Sequence, residues 1–303
     1  MKAVVYERYG PPDVLELRDI PKPLPKDDEI LVKVIATSVT AGDWRMRKAE
    51  PFLVRLFSGL FKPKKVKILG FEVAGIVDEV GKKVTRFKKG DSVFASCGFM
   101  FGGYAEYKCL RDSDLVELKP PNMSFEEAAT VPIGGLSALQ FLRQAGVKPG
   151  HNVLIYGASG SVGTFAVQIA KYFGAEVTGV CSTRNKELVL SLGADRIVDY
   201  TAEDFRNLPL KFDVVLDAVG KISRSQCKKI MKPNAAYVTV KGSPKKQPKD
   251  LQTLKSIIES GKIRTVIDKT YDLESIREAH AYVEKFHKRG NVCVKIASPP
   301  LNF

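Results

Sequence analysis

The residues with the clearest chemical potential form a glycine-rich octapeptide, Tyr156-Gly157-Ala158-Ser159-Gly160-Ser161-Val162-Gly163. It lies between an apolar run, Val153-Leu154-Ile155, and an amphipathic stretch that begins at Thr164. In such a turn, Gly160 lets the backbone approach phosphates, Gly163 lets helix and strand pack closely, and the helix N-terminus offers unpaired N–H groups to an anion. The octapeptide therefore predicts a site for the pyrophosphate of a dinucleotide.

The glycines alone leave a plain structural turn open as an alternative, because Ala158 replaces the first glycine of the usual G-x-G-x-x-G pattern. The surrounding sequence favours the ligand site. Apolar residues recur at helical spacing up to Gly174, and a second apolar strand follows at Val177–Cys181. The helix-spaced residues are Val162, Phe165, Ala166, Ile169, Ala170 and Phe173. Together these segments make the strand-helix-strand unit that the motif requires.

The residues after the second strand indicate which dinucleotide binds. An NAD site usually carries Asp or Glu there, roughly 20 residues beyond the glycine turn. This chain reads Cys181-Ser182-Thr183-Arg184-Asn185-Lys186. Hydroxyls and cations suit a 2′-phosphate that a carboxylate would repel, so NADPH is favoured over NADH. A helix from Leu188 to Leu192 that is capped by Ser182 or Thr183 is the structural alternative, and it is compatible with phosphate binding.

Composition limits the class of protein. The chain has 303 residues, of which 44% are hydrophobic, which is enough for a large core and for two domains. No run of 18 or more apolar residues occurs, and a strand pattern begins directly after Met1, so we expect a soluble cytoplasmic protein. The five cysteines are scattered, which favours a reducing compartment. The histidines, His151, His280 and His287, do not group with cysteines as zinc ligands do.

Three zones position these residues. Up to about Asn122, short alternating strands such as 29–36 and 72–81 predict a mostly β zone. From Ser124, which forms a capping box with Glu127, helices alternate with strands at 153–155, 177–181, 213–220 and 236–240. From near Gly261, a strand at 265–268, a helix at 273–286 and a strand at 292–296 are expected to return to the first domain.

Several segments in fixed order resemble the medium-chain dehydrogenase/reductase superfamily, and in particular its zinc-independent quinone oxidoreductase branch. They are Met1–Val4, Gly70–Gly75, Val84–Asp91, Gly102–Tyr107, Ser124–Ala129, Gly157–Gly163 and Leu192–Asp195. The resemblance implies an α/β protein with a GroES-like, β-rich catalytic domain (1–123 and 262–303), a Rossmann domain with a doubly wound parallel sheet (124–261), and NADPH in the cleft.

The same resemblance implies the reaction. Zinc-dependent members have His where this chain has Phe71, and a cysteine ligand where it reads Thr37-Ser38-Val39-Thr40, so we expect no metal. Without a Lewis acid, oxidation of simple alcohols loses its means of stabilising an alkoxide. We therefore expect NADPH-dependent reduction of quinones or α,β-unsaturated carbonyl compounds, in which charge spreads to an oxygen that can accept a hydrogen bond.

Residue roles also follow from the resemblance. The implied cofactor contacts are Thr130 beside the nicotinamide, Ser159, Gly160, Ser161 and Val162 at the pyrophosphate, Ser182, Arg184 and Lys186 at the 2′-phosphate, Tyr200 near the adenosine, and Gly220 and Val240 at the nicotinamide pocket. Relatives often read Asn-Pro-x-Asp where this chain has Thr40-Ala41-Gly42-Asp43, so Thr40 and Asp43 are the candidates for orienting substrate, with a structural role for Asp43 equally open.

Two departures concern surfaces and contacts. Similar sequences carry a longer segment where this chain has only residues 241–249, so the shape of the pocket and the formation of a homodimer stay open. Gly290-Asn291 stands where many relatives have Gly-Lys, so one cofactor or substrate contact of those relatives is altered here.

The net charge of +14 is concentrated in residues 45–67, where basic and apolar residues interleave. Three interpretations of this stretch are open: a lid helix over the active-site cleft, contact with an anionic membrane or acidic ligand, and nucleic-acid binding. Nucleic-acid binding is disfavoured because the usual nucleic-acid-binding modules are missing. An NADPH-binding module with little turnover, associated with membrane or nucleic acid, is the alternative to an enzyme.

Overall fold

The computed structural model of the protein describes residues 1–242 and 247–298. Its strands are β1 (Lys2–Val5), β2 (Glu16–Asp19), β3 (Glu29–Ser38), β4 (Glu72–Val80), β5 (Ser92–Ser96), β6 (Tyr107–Arg111), β7 (Val116–Leu118), β8 (Asn152–Tyr156), β9 (Glu176–Cys181), β10 (Arg196–Asp199), β11 (Phe212–Asp217), β12 (Met231–Thr239), β13 (Ile267–Asp272) and β14 (Asn291–Lys295). Its helices are α1 (Ala41–Lys48), α2 (Leu53–Ser58), α3 (Phe125–Ala129), α4 (Pro132–Gln144), α5 (Ser161–Tyr172), α6 (Lys186–Ser191), α7 (Arg224–Cys227), α8 (Pro248–Glu259) and α9 (Ile276–Glu284). Residues 243–246 of the short connection, on which the expectations about pocket shape and dimerisation depend, lie outside the described residues.

The chain divides into two compact units. Unit 1 comprises Met1–Ile133 and the chain from Ile267 onward, and unit 2 comprises Gly134–Val266. The first junction lies at Ile133, later than the expected residue 123, because α3 packs against β3, β4 and β14 of unit 1.

Unit 2 is built on a parallel sheet. Five strands pair in the order β10-β9-β8-β11-β12. Counted along the unit this order is 3-2-1-4-5, that of a dinucleotide-binding sheet, and the strand order reverses between β8 and β11. The apolar run Val153–Ile155 is fully buried in β8, as expected for a strand covered on both faces. The carboxyl ends of β8 and β11 therefore mark the place where such sheets bind ligands.

Two strands of unit 2 differ from their predicted bounds. The strand predicted over 213–220 ends at Asp217, because its carboxylate accepts the N–H of Gly220 at 2.8 Å and turns the chain. The strand predicted over 236–240 already begins at Met231 and contains Pro233. Proline lacks an N–H, but β12 is an edge strand, where one side of the backbone needs no partner strand.

Unit 1 is dominated by β structure. One sheet has the order β13-β14-β3-β4-β5-β7, with β6 paired to β3, and β1 and β2 form a separate antiparallel pair. Ile30, Val32 and Val34 of β3 pack with Val73 and Val93 in its core. The predicted fold class, a GroES-like β-rich domain with a Rossmann domain, is confirmed.

The last part of the chain, from Ile267 onward, belongs to unit 1. β13 lies at Ile267–Asp272 instead of 265–268, and the predicted helix begins with a 3₁₀ turn at Leu273–Ser275 before α9. β14 then pairs antiparallel with β3, with Val294 opposite Thr37.

The basic stretch is not one helix. α1 ends at Lys48 and is followed by Ala49, which has a left-handed backbone (φ 56°). α2 ends at Ser58 and is followed by Gly59 (φ 138°), so two separate short helices occupy the stretch. Within residues 1–242 and 247–298, no helix has the length and apolarity needed to cross a bilayer.

Candidate functional site

The glycine turn after β8 has the shape that an anion site needs. Gly160 is the N-cap of α5 and carries no side chain to cap the first N–H groups of the helix. A Cβ at Gly160 would meet no heavy atom closer than the Gly157 oxygen at 3.5 Å, so protein packing does not require glycine here. A Cβ at Gly163 would lie 2.1 Å from the same oxygen, so strand-helix packing does require it. The open space at Gly160 fits the close approach of a phosphate.

The turn continues into the first turn of α5. Ser161 and Val162 belong to the helix, which begins earlier than the predicted Thr164 because Gly160 takes the N-cap position. Ser159 accepts a hydrogen bond from the buried Asn185 side chain at 3.0 Å. The structure therefore places the four residues expected at the pyrophosphate on one short segment at the carboxyl end of β8.

Asn185 joins this turn to the end of β9. Its amide also donates to the Ser182 hydroxyl at 3.2 Å, so one buried side chain holds two loops together. Sequence reasoning assigned Asn185 no role. The available signal was its place between Arg184 and Lys186, inside the segment expected to bind the 2′-phosphate.

The three residues expected at the 2′-phosphate lie close together in the chain, and one of them, Lys186, forms an ion pair with a carboxylate. Ser182 is the N-cap of the 3₁₀ turn Thr183–Asn185, α6 starts at Lys186, and Arg184 is exposed between them. The Lys186 ammonium lies 3.0 Å from the buried Asp199 carboxylate at the end of β10.

Asp199 is a polar partner that sequence reasoning did not identify. Hydroxyl hydrogen bonds from Thr183 and Thr201 hold the pKa of its carboxyl well below the usual range, with a further contribution from Lys186. The carboxylate therefore stays charged and offsets the charge of Lys186.

A cavity of about 520 Å³ opens beside this edge of the sheet. It is lined by Tyr156 at the end of β8, Tyr200 and Phe205 after β10, and Lys221 and Ile222 after β11. Three aromatic rings line this cavity together with six polar or charged side chains, which suits a flat ring that carries polar groups. Tyr200, expected near the adenosine, is half exposed at the cavity.

The loops after β11 and β12 are organised by Asp217. This buried carboxylate accepts hydrogen bonds from Gly220 N at 2.8 Å and from the Thr239 hydroxyl at 3.1 Å, and the Val240 N–H donates to the Asp217 carbonyl at 3.0 Å. Gly220 has a left-handed backbone (φ 77°). Gly220 and Val240, expected in the nicotinamide pocket, are thus brought to neighbouring strand ends. An aspartate at a strand end three residues before a glycine was the signal for this arrangement.

In unit 1, Thr40 and Asp43 form a capping box at the start of α1. The Thr40 N–H and hydroxyl donate to one Asp43 oxygen at 2.8 and 2.7 Å, and the Gly70 N–H donates to the other at 2.8 Å. Burial raises the pKa of the Asp43 carboxyl to about 6, and the Thr40 and Gly70 hydrogen bonds oppose that rise. The geometry gives fully buried Asp43 a positioning role, whereas half-buried Thr40 is the accessible member of the pair.

An aromatic ring lies where zinc-dependent relatives carry a histidine. Phe71 packs on Phe101 with ring centroids 4.0 Å apart. The buried Glu72 carboxylate accepts hydrogen bonds from the Ser38 hydroxyl and, at 2.6 Å, from the Ile133 N–H. Burial raises the pKa of the Cys97 thiol to about 12, so this thiol stays protonated. Across the described part of the chain, no three His, Cys, Asp or Glu side chains group as metal ligands would.

Thr130 also belongs to unit 1. It follows α3 as its C-cap, and its buried hydroxyl donates to the Glu127 carbonyl at 2.9 Å. The predicted capping box of Ser124 with Glu127 is present. The place of Thr130 beside a nicotinamide stays a prediction.

Two family descriptions match the chain. Residues 26–120 match the family described as "Alcohol dehydrogenase GroES-like domain", and residues 161–282 match "Zinc-binding dehydrogenase".

Individual proteins match over nearly the whole chain. A 2-methylene-furan-3-one reductase from Solanum lycopersicum is 34% identical, over 97% of this chain and 79% of its own length. An NADPH-dependent alkenal/one oxidoreductase, chloroplastic, from Arabidopsis thaliana is 33% identical with the same coverage. The solved structure of the quinone oxidoreductase from Coxiella burnetii superposes with a TM-score of 0.88 and 30% identity, covering 98% of this chain and 99% of that one.

Proposed function

Because the chain belongs to the medium-chain dehydrogenase/reductase superfamily, in its quinone oxidoreductase branch, we propose that it is an NADPH-dependent oxidoreductase that reduces quinones or α,β-unsaturated carbonyl compounds without zinc. When bound, the dinucleotide supplies hydride. The residues of this chain hold the cofactor, orient the acceptor and stabilise charge that develops on the acceptor oxygen.

The observation that carries the proposal is the open glycine turn at the carboxyl end of β8. Its free space at Gly160 and the uncapped helix start fit a pyrophosphate, and Ser182 with Arg184 fits a 2′-phosphate at the adjacent strand end. A relative whose name includes NADPH supports the same cofactor. We assign the preference for NADPH over NADH to Ser182, Arg184 and Lys186 together, of which Lys186 also pairs with Asp199.

Zinc independence is supported by the chemistry of the side chains. Phe71 offers no ligand atom, Glu72 is engaged by two donors, and the Cys97 thiol is held in its protonated form. An electron-poor alkene or quinone needs less assistance than an alcohol, since the developing charge is delocalised onto an oxygen. Thr40, held by Asp43, is our candidate for the hydrogen bond to that oxygen.

An assay of the purified protein tests the function. NADPH and NADH are each mixed with a panel of quinones, enones and simple ketones, and metal content is measured in parallel. We expect oxidation of NADPH with quinones or enones, a lower rate with NADH, no rate with simple ketones, and zinc well below one ion per chain. Absence of turnover with every acceptor, or a stoichiometric zinc ion that activity requires, would refute the proposal.

A further inference from the structure

One exposed surface of unit 1 is unusually apolar. The residues of α2 and of the turns around it, together with two residues of a neighbouring turn, present large side chains to solvent. We call this the apolar patch; its members are Phe52, Leu53, Leu56, Phe57, Leu60, Phe61, Phe99 and Met100. Phe61 is 87% exposed and Phe99 69%. The rings of Phe57 and Phe99 lie 6.2 Å apart, so the two segments form one surface. Clustered apolar exposure of this kind marks an interaction surface.

The opposite side of the same segment is fixed to the unit. Val54 packs against the core, Ser58 is fully buried, and Val66 belongs to the core itself. The Tyr9 hydroxyl donates to the Gly59 carbonyl at 2.7 Å, and the Arg55 guanidinium lies over the Tyr9 ring at 4.9 Å. Burial of one face normally leaves a polar face outside. Here the outer face is also apolar, and its position is set by the packing behind it.

Basic residues lie on the same chain segment as the apolar patch, and the Lys65 ammonium lies 5.4 Å from the Phe57 ring centroid. Between residues 51 and 71 the chain has five basic residues and no acidic one; they are Arg55, Lys62, Lys64, Lys65 and Lys67. A cavity of about 380 Å³ is lined by Lys62, Lys64 and Lys67 together with Glu7 and Pro63. Glu7 lies 3.2 Å from Arg18, which offsets its charge. Arg47 belongs to the basic stretch 45–67 in the sequence, but in the structure its side chain is fully buried and forms an ion pair with Glu284.

We propose that the apolar patch and its lysines dock the protein on an anionic phospholipid bilayer. Lys62, Lys64 and Lys67 contact lipid phosphates, while Phe57 and Phe61 enter the headgroup boundary. This inference goes beyond the reductase function and does not depend on it. A second copy of the chain is a poorer occupant, because two patches of like charge would repel. Single-stranded nucleic acid is also poorer, because four of the eight patch residues are Leu or Met, whose side chains offer no ring on which a base could stack.

Sedimentation of the full chain with vesicles tests the proposal. We expect binding to phosphatidylcholine vesicles that contain phosphatidylglycerol, weaker binding at high salt, and little binding to phosphatidylcholine alone. The variant K62Q/K64Q/K67Q is expected to bind about a hundredfold more weakly, since each cation near such a surface is worth about fivefold in affinity. The variant F57S/F61S is expected to lose most of the binding that survives high salt.

Matched variants separate docking from net charge and from misfolding. K82Q/K88Q/K89Q removes the same charge from exposed positions elsewhere, and Leu24→Ser removes an exposed apolar side chain outside the patch. Both are expected to bind vesicles like the wild type, and thermal unfolding of all variants confirms the fold. Equal loss of binding in the two lysine variants would overturn the proposal. So would absence of binding to anionic vesicles, a preference for RNA over vesicles, or a change in oligomeric state caused by F57S/F61S.

Discussion

A pair of glycine-to-alanine substitutions separates ligand approach from packing at the glycine turn after β8. At Gly160 the backbone is extended (φ −84°, ψ −179°), and the new Cβ would stand 3.5 Å from its nearest neighbour. Alanine adopts this conformation, so we expect the free energy of unfolding to change by less than about 1 kcal/mol. The methyl group would occupy the space that we assign to the pyrophosphate. We expect the Kd for NADPH to rise at least tenfold, or about 1.4 kcal/mol.

Gly163→Ala is the control with the opposite expectation. Its Cβ would lie 2.1 Å from the Gly157 oxygen and 2.8 Å from Ala158, and both contacts are with backbone that cannot rotate away. Overpacking of this kind costs about 1–3 kcal/mol, so this variant should unfold at lower urea concentration. Fluorescence titration with NADPH and urea unfolding are measured on both proteins. Comparable destabilisation by the two substitutions, or wild-type NADPH affinity in Gly160→Ala, would refute the division of roles.

Three other predictions concern the 2′-phosphate, the buried carboxyl and the metal. Arg184→Ala should raise the KM for NADPH about 10- to 100-fold and leave the KM for NADH unchanged, because only NADPH carries the 2′-phosphate; equal effects on both coenzymes in steady-state assays would contradict this. The raised pKa of Asp43, about 6 against 3.8 for the free side chain, means that the folded protein binds this proton more tightly than the unfolded chain does. The stabilisation by this bound proton is complete below pH 3.8 and is lost as pH rises through 6. In urea titrations the free energy of unfolding of the wild type, relative to that of Asp43→Asn, should therefore fall by about 2–3 kcal/mol between these pH values. A difference that is constant with pH would show that Asp43 does not titrate in this range. Treatment with a zinc chelator should leave the reductase rate unchanged, and recovery of a lost rate by added zinc would exclude the metal-free site.

Much of the fold and part of the site could be predicted from local sequence. The strand-turn-helix pattern around Gly160 follows from short-range spacing, and the structure agrees with it to within a few residues. The capping box at Ser124 is equally local, since both partners lie in one helical turn. The errors lie at element ends. β11 stops at Asp217, where a side chain captures backbone N–H groups, and no pattern of hydrophobic residues reports that event.

The partners of the charged and polar groups were decided by tertiary structure. Lys186 reaches Asp199 only because β10 pairs beside β9, and Arg47 meets Glu284 only because α9 returns from the far end of the sequence. The same packing buries Asp43 and leaves Phe61 exposed. By itself the sequence determined the glycine turn after β8 and the order of elements, because both depend on neighbouring residues. Contacts between distant segments decided which charged side chains pair with each other and which apolar face stays exposed. The spacing of residues along the sequence does not report those contacts.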